Sequence, residues 1–107
     1  VADRRYDNRA IEARNLFDAW VSYKKARLFL EAMDNRPDEY EIVKAKIRDC
    51  ERELDEKCSK ILLRGQGMEQ TGKTNDAIKA YKEGQMFFPE NQHGCFSQLK
   101  DKLNNLE

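Results

Sequence analysis

The chain is short of histidine, proline and glycine, carries no net charge and has no long apolar run. Each shortage removes a class of function. Only one histidine, His93, stands in 107 residues. A His-based metal centre is therefore excluded, and a lone general base has no Ser or Cys nucleophile in a recognisable setting beside it. No apolar run approaches the ~20 residues that cross a bilayer, and no secretory signal pattern is legible. Lys plus Arg and Asp plus Glu number 20 each. The balance holds within each half: 12 acids against 12 bases in residues 1–53, and 8 against 8 in residues 54–107. Neither half offers the single-sign field that nucleic acid or an anionic membrane selects. Clusters such as Lys24-Lys25-Arg27 sit among acids and read as solvated helix faces.

The three cysteines, Cys50, Cys58 and Cys95, are an odd number for a secreted disulfide scaffold and lack C-x2-C spacing for zinc. They read as buried thiols in a reducing compartment, which makes the expected location cytoplasmic. Cys58 and Cys95 could approach each other if the last helix stacks on the helix that carries Cys58, which leaves a disulfide between them open. No metal and no cofactor is expected. A chain that opens on Val1 rather than Met is expected to be a piece of a longer protein.

What is present is helical periodicity. From about Asp3 to Met33 the residues Tyr6, Ala10, Ala13, Leu16, Phe17, Trp20, Tyr23, Ala26, Leu30 and Met33 recur at intervals of three and four. Asn35-Arg36-Pro37-Asp38 interrupts them. A second stripe, through Tyr40, Val43, Ile47, Cys50, Leu54, Cys58, Ile61, Gly65 and Met68, meets no Gly or Pro before Gly65. It predicts one long helix from about Asp38 to Thr71. With so short a connection the two helices should lie antiparallel as a hairpin over residues 1–57. A last amphipathic segment, residues 92–107, carries Phe96, Leu99, Leu103 and Leu106 on one face.

Between these, Cys58 to Asn91 has a position-specific pattern. Ile61, Arg64, Gly65 and Met68 stand at W-x2-L-G-x2-Y spacing, followed by Gly72, Ala77, Tyr81, Gly84 and Pro89 at the matching intervals. The segment resembles a tetratricopeptide repeat (TPR), with Ile61, Arg64 and Gly84 standing where Trp, Leu and Ala are usual. The resemblance covers one 34-residue unit, about a third of the chain. It implies a helix pair in which Gly65 faces the second helix, Tyr81 and Phe87 fill the gap, Gly72 turns the chain and Pro89 ends the second helix. One TPR cannot bury its apolar face alone, so residues 92–107 read as a cap helix.

Gly67-Met68-Glu69-Gln70-Thr71-Gly72-Lys73-Thr74 also matches G-x-x-x-x-G-K-[ST], the phosphate-binding loop of nucleotidases. That loop must follow a buried strand, whereas Cys58 to Gln66 continues a helical stripe. Thr74 is instead expected as the N-cap of the next helix. Carboxylate pairs such as Asp38-Glu39 and Asp55-Glu56 read as helix N-terminal acids or solvated charges. The chain is expected not to be an enzyme.

The expected architecture is all-α: a long antiparallel hairpin running into one TPR helix pair, closed by a cap helix. The resemblance implies a protein-interaction or scaffolding module whose groove is lined by Ser59, Leu62, Gln66, Glu69 and Gln70. His93, in the first turn of the cap helix, joins them with Phe96, Lys100 and Asn104. The Lys and Asn of a chaperone carboxylate clamp are replaced here by Leu62, Leu63 and Gln66, which disfavours that partner class. A homodimer through the hairpin is the alternative, with Leu28 and Phe29 as exposed anchors because they lie off the main stripe. The partner is a protein or peptide, with neither nucleic acid nor membrane.

Overall fold

The computed structural model describes Asp3, residues 14–33, Asn35 and residues 37–107. The described residues form four helices and no strand: α1 (Asn15–Glu31), α2 (Glu39–Gln70), α3 (Thr74–Gln85) and α4 (Gly94–Leu106). The uninterrupted stripe from Tyr40 to Met68 thus becomes a single 32-residue helix. Of the expected first helix, Tyr6, Ala10 and Ala13 lie outside the described residues, as does Arg36 of the interruption. The chain divides into two compact units, Val1–Leu54 and Asp55–Glu107, so that α2 contributes to both.

In the first unit α1 buries Leu16, Phe17, Ala19, Trp20 and Tyr23, and the first part of α2 buries Ile47, Cys50 and Leu54. Phe17 meets Trp20 edge to face at 5.6 Å between ring centres. The amphipathic side chain of Trp20 is satisfied at its polar end, where Nε1 donates to Glu51 at 3.3 Å. Lys24 lies 3.9 Å over the same ring. Near the connection, the Tyr40 hydroxyl donates to Glu31 at 3.2 Å.

In the second unit the helices approach through glycine. α2 ends in a Schellman turn: Lys73 N–H bonds the Met68 carbonyl at 2.8 Å, Gly72 N–H bonds that of Glu69 at 3.1 Å, and Gly72 takes φ +78°. α3 then buries Ala77, Ala80, Tyr81 and Gly84, and α4 buries Cys95, Leu99 and Leu103. A Cβ on Gly65 would fall 2.2 Å from the Tyr81 ring, and one on Gly84 would fall 2.6 Å from an Ile61 methyl and 3.3 Å from Leu99. Small residues here set the interhelical distance, and any larger side chain would push the helices apart.

Three local expectations need correction. Lys73, not Thr74, is the N-cap of α3, because the Schellman turn runs through Lys73 and leaves its carbonyl to accept the first helical bond, from Ala77 at 3.0 Å. α3 stops at Gln85, well before Pro89. Tight turns link Met86 to Glu83, Phe87 to Gly84 and Phe88 to Gln85, and a residue preceding proline disfavours helical geometry. These turns send Phe88 inward, fully buried, and leave Phe87 half-buried under Lys57, whose Nζ lies 4.7 Å over the ring. Of the two phenylalanines it is therefore Phe88, not Phe87, that is buried.

Candidate functional site

The stretch of α2 from Asp55 onward exposes a stripe of one helical period, Asp55, Ser59, Leu62, Gln66 and then Glu69 and Gln70. The start of α4 lies against it, fixed by a covalent bond. Cys58 on α2 and Cys95 on α4 form a disulfide with Cα atoms 5.9 Å apart. The expectation of three reduced thiols is thus corrected for two of them. Cys58 faces α4 on the stripe it shares with Leu54 and Ile61, and Cys95 falls on the inward face of α4 with Leu99 and Leu103. Cys50 is buried in the first unit.

His93 is the second link. It is the N-cap of α4, one residue before the first turn in which it was expected. Its Nδ1 accepts the Cys95 N–H at 3.1 Å, so the ring proton sits on Nε2, which donates to the Asp55 carboxylate at 2.8 Å. The imidazole also lies against Phe88, with ring centres 4.8 Å apart. Asp55, read from sequence as a solvated charge, therefore orients the histidine that caps α4. At the other end of α4, Glu107 pairs with Lys82 of α3 at 2.9 Å.

Between α2 and α4 lie two open depressions. One, of about 430 Å³, is lined by Asp55, Ser59, Leu62, His93, Gln98 and the two bonded cysteines. The other, of about 250 Å³, is lined by Gln66, Glu69, Gln70 and Lys102. Of the residues expected in the groove, Ser59, Leu62 and His93 come together in the first depression, and Gln66, Glu69 and Gln70 in the second. Phe96, Lys100 and Asn104 line neither. Two residues along a helix is a rotation of about 200°. Besides Cys95, the α4 side chains that line these depressions are Gln98 and Lys102, each preceding a buried leucine. Counting Cys95 with Leu99 and Leu103 as the apolar stripe was the signal that would have found them.

Glu69 of the second depression is held from below by Tyr81. Its hydroxyl donates to the Glu69 carboxylate, holding that side chain at the rim. Burial, and then the Glu69 carboxylate itself, push the phenol well above the ordinary tyrosine range, so it remains a proton donor at any physiological pH.

The segment that matches the phosphate-binding loop has different geometry. Gly67–Gln70 form the last turn of α2, and the N–H groups of Thr71, Gly72 and Lys73 all donate to carbonyls of that turn. The amides that would cradle a phosphate are spent on ending a helix. Among the described residues no three His, Cys, Asp or Glu side chains are grouped to hold a metal ion, and no helix is long and apolar enough to cross a membrane. No protein-family model, curated protein or solved structure matches the chain.

Proposed function

We propose that the chain is a helical protein-interaction module in which Cys58–Asn91 act as one TPR unit, α4 caps it, and the α2–α4 face receives an extended segment of a partner protein. The observation that carries this reading is the Gly65–Tyr81 approach. A glycine on one helix admits the ring of the next, as the repeat pattern requires, and the same Tyr81 orders Glu69 at the groove rim. The groove chemistry suits a peptide main chain. Gln66, Gln70 and Gln98 each offer an amide donor and acceptor, Ser59 a hydroxyl and Lys102 a cation. A hydrolytic or nucleotide-binding role has no comparable support.

The reading is tested by selecting binders from a displayed library of random 12-residue peptides. Selected peptides should lose at least about tenfold in affinity, ~1.4 kcal/mol, on Gln66→Ala or Lys102→Ala. They should be unaffected by Lys79→Ala on the solvent side of α3. Peptides that bind all three variants alike, or a selection that yields none, would remove the groove from consideration.

A second reading, homodimerisation through an α1–α2 hairpin, draws on a separate observation. Leu28 and Phe29 are 62% and 69% exposed, with Ile42 and Met33 also exposed. The Glu31–Tyr40 and Trp20–Glu51 bonds step equally in opposite chain directions, which brings Phe29 level with Ile42 on an antiparallel pair. Light scattering across a concentration series separates this reading from the first. The cytoplasmic location rested on reduced thiols, so it now depends on the fate of the Cys58–Cys95 bond. Cytosolic disulfides are mostly transient or redox-sensing, whereas permanent ones belong to oxidising compartments.

A further inference from the structure

We propose that the Cys58–Cys95 disulfide is an exchange site, opened in the folded protein by a small dithiol that enters the α2–α4 depression. Both cysteines line that open space, so a reductant has a route to the bond without unfolding of the unit. The two cysteines are not equally covered. Cys58 keeps 7% of its surface accessible and Cys95 1%, which directs the incoming thiolate to Cys58. Cys95 is the second residue of α4, directly after its N-cap and Gly94. A thiolate released there meets the positive end of the helix, which stabilises its charge and makes Cys95 the better leaving group.

The exchange proceeds in two displacements. A thiolate of the dithiol attacks Cys58 Sγ, the Cys58–Cys95 bond breaks, and Cys95 leaves with the electron pair as a thiolate. The second thiol of the reductant, deprotonated, then attacks its own sulfur in the mixed disulfide and expels the Cys58 thiolate. The reductant ends as its cyclic disulfide, two electrons have passed to the protein, and the two protons end on Cys58 and Cys95.

Opening the bond would leave α4 docked. Leu99 and Leu103 remain buried, Leu99 still meets Gly84, and Glu107 still pairs with Lys82. What is lost is the covalent tether at the end of α4 where His93 reaches Asp55, so one wall of the depression gains freedom while the unit stays folded.

The test is reduction of the whole chain by dithiothreitol in native buffer, followed by alkylation and mass spectrometry. In parallel, the unfolding rate is measured in the same buffer, and circular dichroism is recorded on the reduced chain and on the double variant Cys58→Ser, Cys95→Ser. Reduction should exceed unfolding by at least about tenfold, and both bond-free forms should stay helical. With a monothiol and iodoacetamide present together, the thiol adduct should sit on Cys58 and the alkyl group on Cys95. Reduction no faster than unfolding would make the bond a structural staple and overturn the proposal. Loss of helix in the bond-free forms, or adducts on Cys95, would overturn it too.

Discussion

The two units of this chain hold their helices together by opposite means. All five glycines lie at or beyond residue 65, and the first unit has none. There, Phe17, Trp20 and Tyr23 on α1 and Ile47 and Leu54 on α2 are all large, and ring edges, aliphatic side chains and a cation over an indole fill the space. In the second unit the closest helix approaches set a large side chain against glycine: Tyr81 faces Gly65, and Ile61 and Leu99 face Gly84. Packing of large on large can shift rotamers when one member changes. A ring against bare backbone has no such latitude, because the backbone of a helix does not repack.

The largest expected effect comes from emptying the second unit's contact. Tyr81 is fully buried, so Tyr81→Ala should cost about 3–5 kcal/mol, read as a lowered midpoint in urea denaturation. A change within ~0.5 kcal/mol would mean that Tyr81 does not set the spacing, and the TPR reading would fail with it.

Addition of a single carbon sharpens the contrast. Gly65→Ala places Cβ where the Tyr81 ring already stands and should cost about 1–3 kcal/mol, although alanine favours helix. Gly67→Ala, two residues on and with nothing within 4 Å of the new carbon, should gain about 0.5–1 kcal/mol from the same helix preference. In the first unit, Leu54→Met reshapes a whole buried side chain yet should cost under about 1.5 kcal/mol. Equal effects of Gly65→Ala and Gly67→Ala would show that the Tyr81 ring does not stand against bare backbone in the second unit.

The same difference explains what the sequence disclosed. Both ends of α2 were legible within one residue, because Pro37 and Gly72 punctuate an unbroken stripe. Gly65, Gly72 and Tyr81 announced their contacts through spacing, since backbone approach and left-handed φ each demand a particular residue. The inward turn of Phe88 rather than Phe87 was not legible: consecutive aromatics are separated only by the tight turns after Gln85. Neither was the face of α4, where the choice between Gln98–Lys102 and Lys100–Asn104 hinges on whether Cys95 counts as apolar. The cysteine pairing was open for a similar reason, because residues 37 apart meet only through the docking of α4.

A smaller effect isolates the Tyr81 hydroxyl from its ring. Tyr81→Phe keeps the ring against Gly65 and removes one hydrogen bond to a carboxylate, costing about 1–2 kcal/mol at neutral pH. The pH dependence has a definite sign. The folded phenol titrates above the ordinary value of 10.0. From about pH 10 upward the unfolded chain therefore releases the Tyr81 proton while the folded chain keeps it. Fewer protons on the unfolded state means stability falls as pH rises. Urea midpoints between pH 9 and 11 should fall more steeply for the natural chain than for Tyr81→Phe. Parallel profiles would show that neither burial nor Glu69 raises the phenol above its ordinary range.

The smallest effect on stability belongs to the first unit's surface. Leu28 and Phe29 are mostly exposed and contribute little to its core, so Leu28→Ser and Phe29→Ser should each change the unfolding free energy by less than about 0.5 kcal/mol. Their effect on association decides between the two functional readings. An antiparallel hairpin that dimerises through Phe29 and Ile42 would lose apolar burial on both copies at once, and the mass measured by light scattering would fall from dimer to monomer in the variants. A natural chain already monomeric at high concentration would assign these side chains no role in self-association. Interaction would then fall to the unit whose helices are spaced by glycine. Its groove variants should weaken peptide binding without moving the urea midpoint, whereas Tyr81→Ala lowers that midpoint.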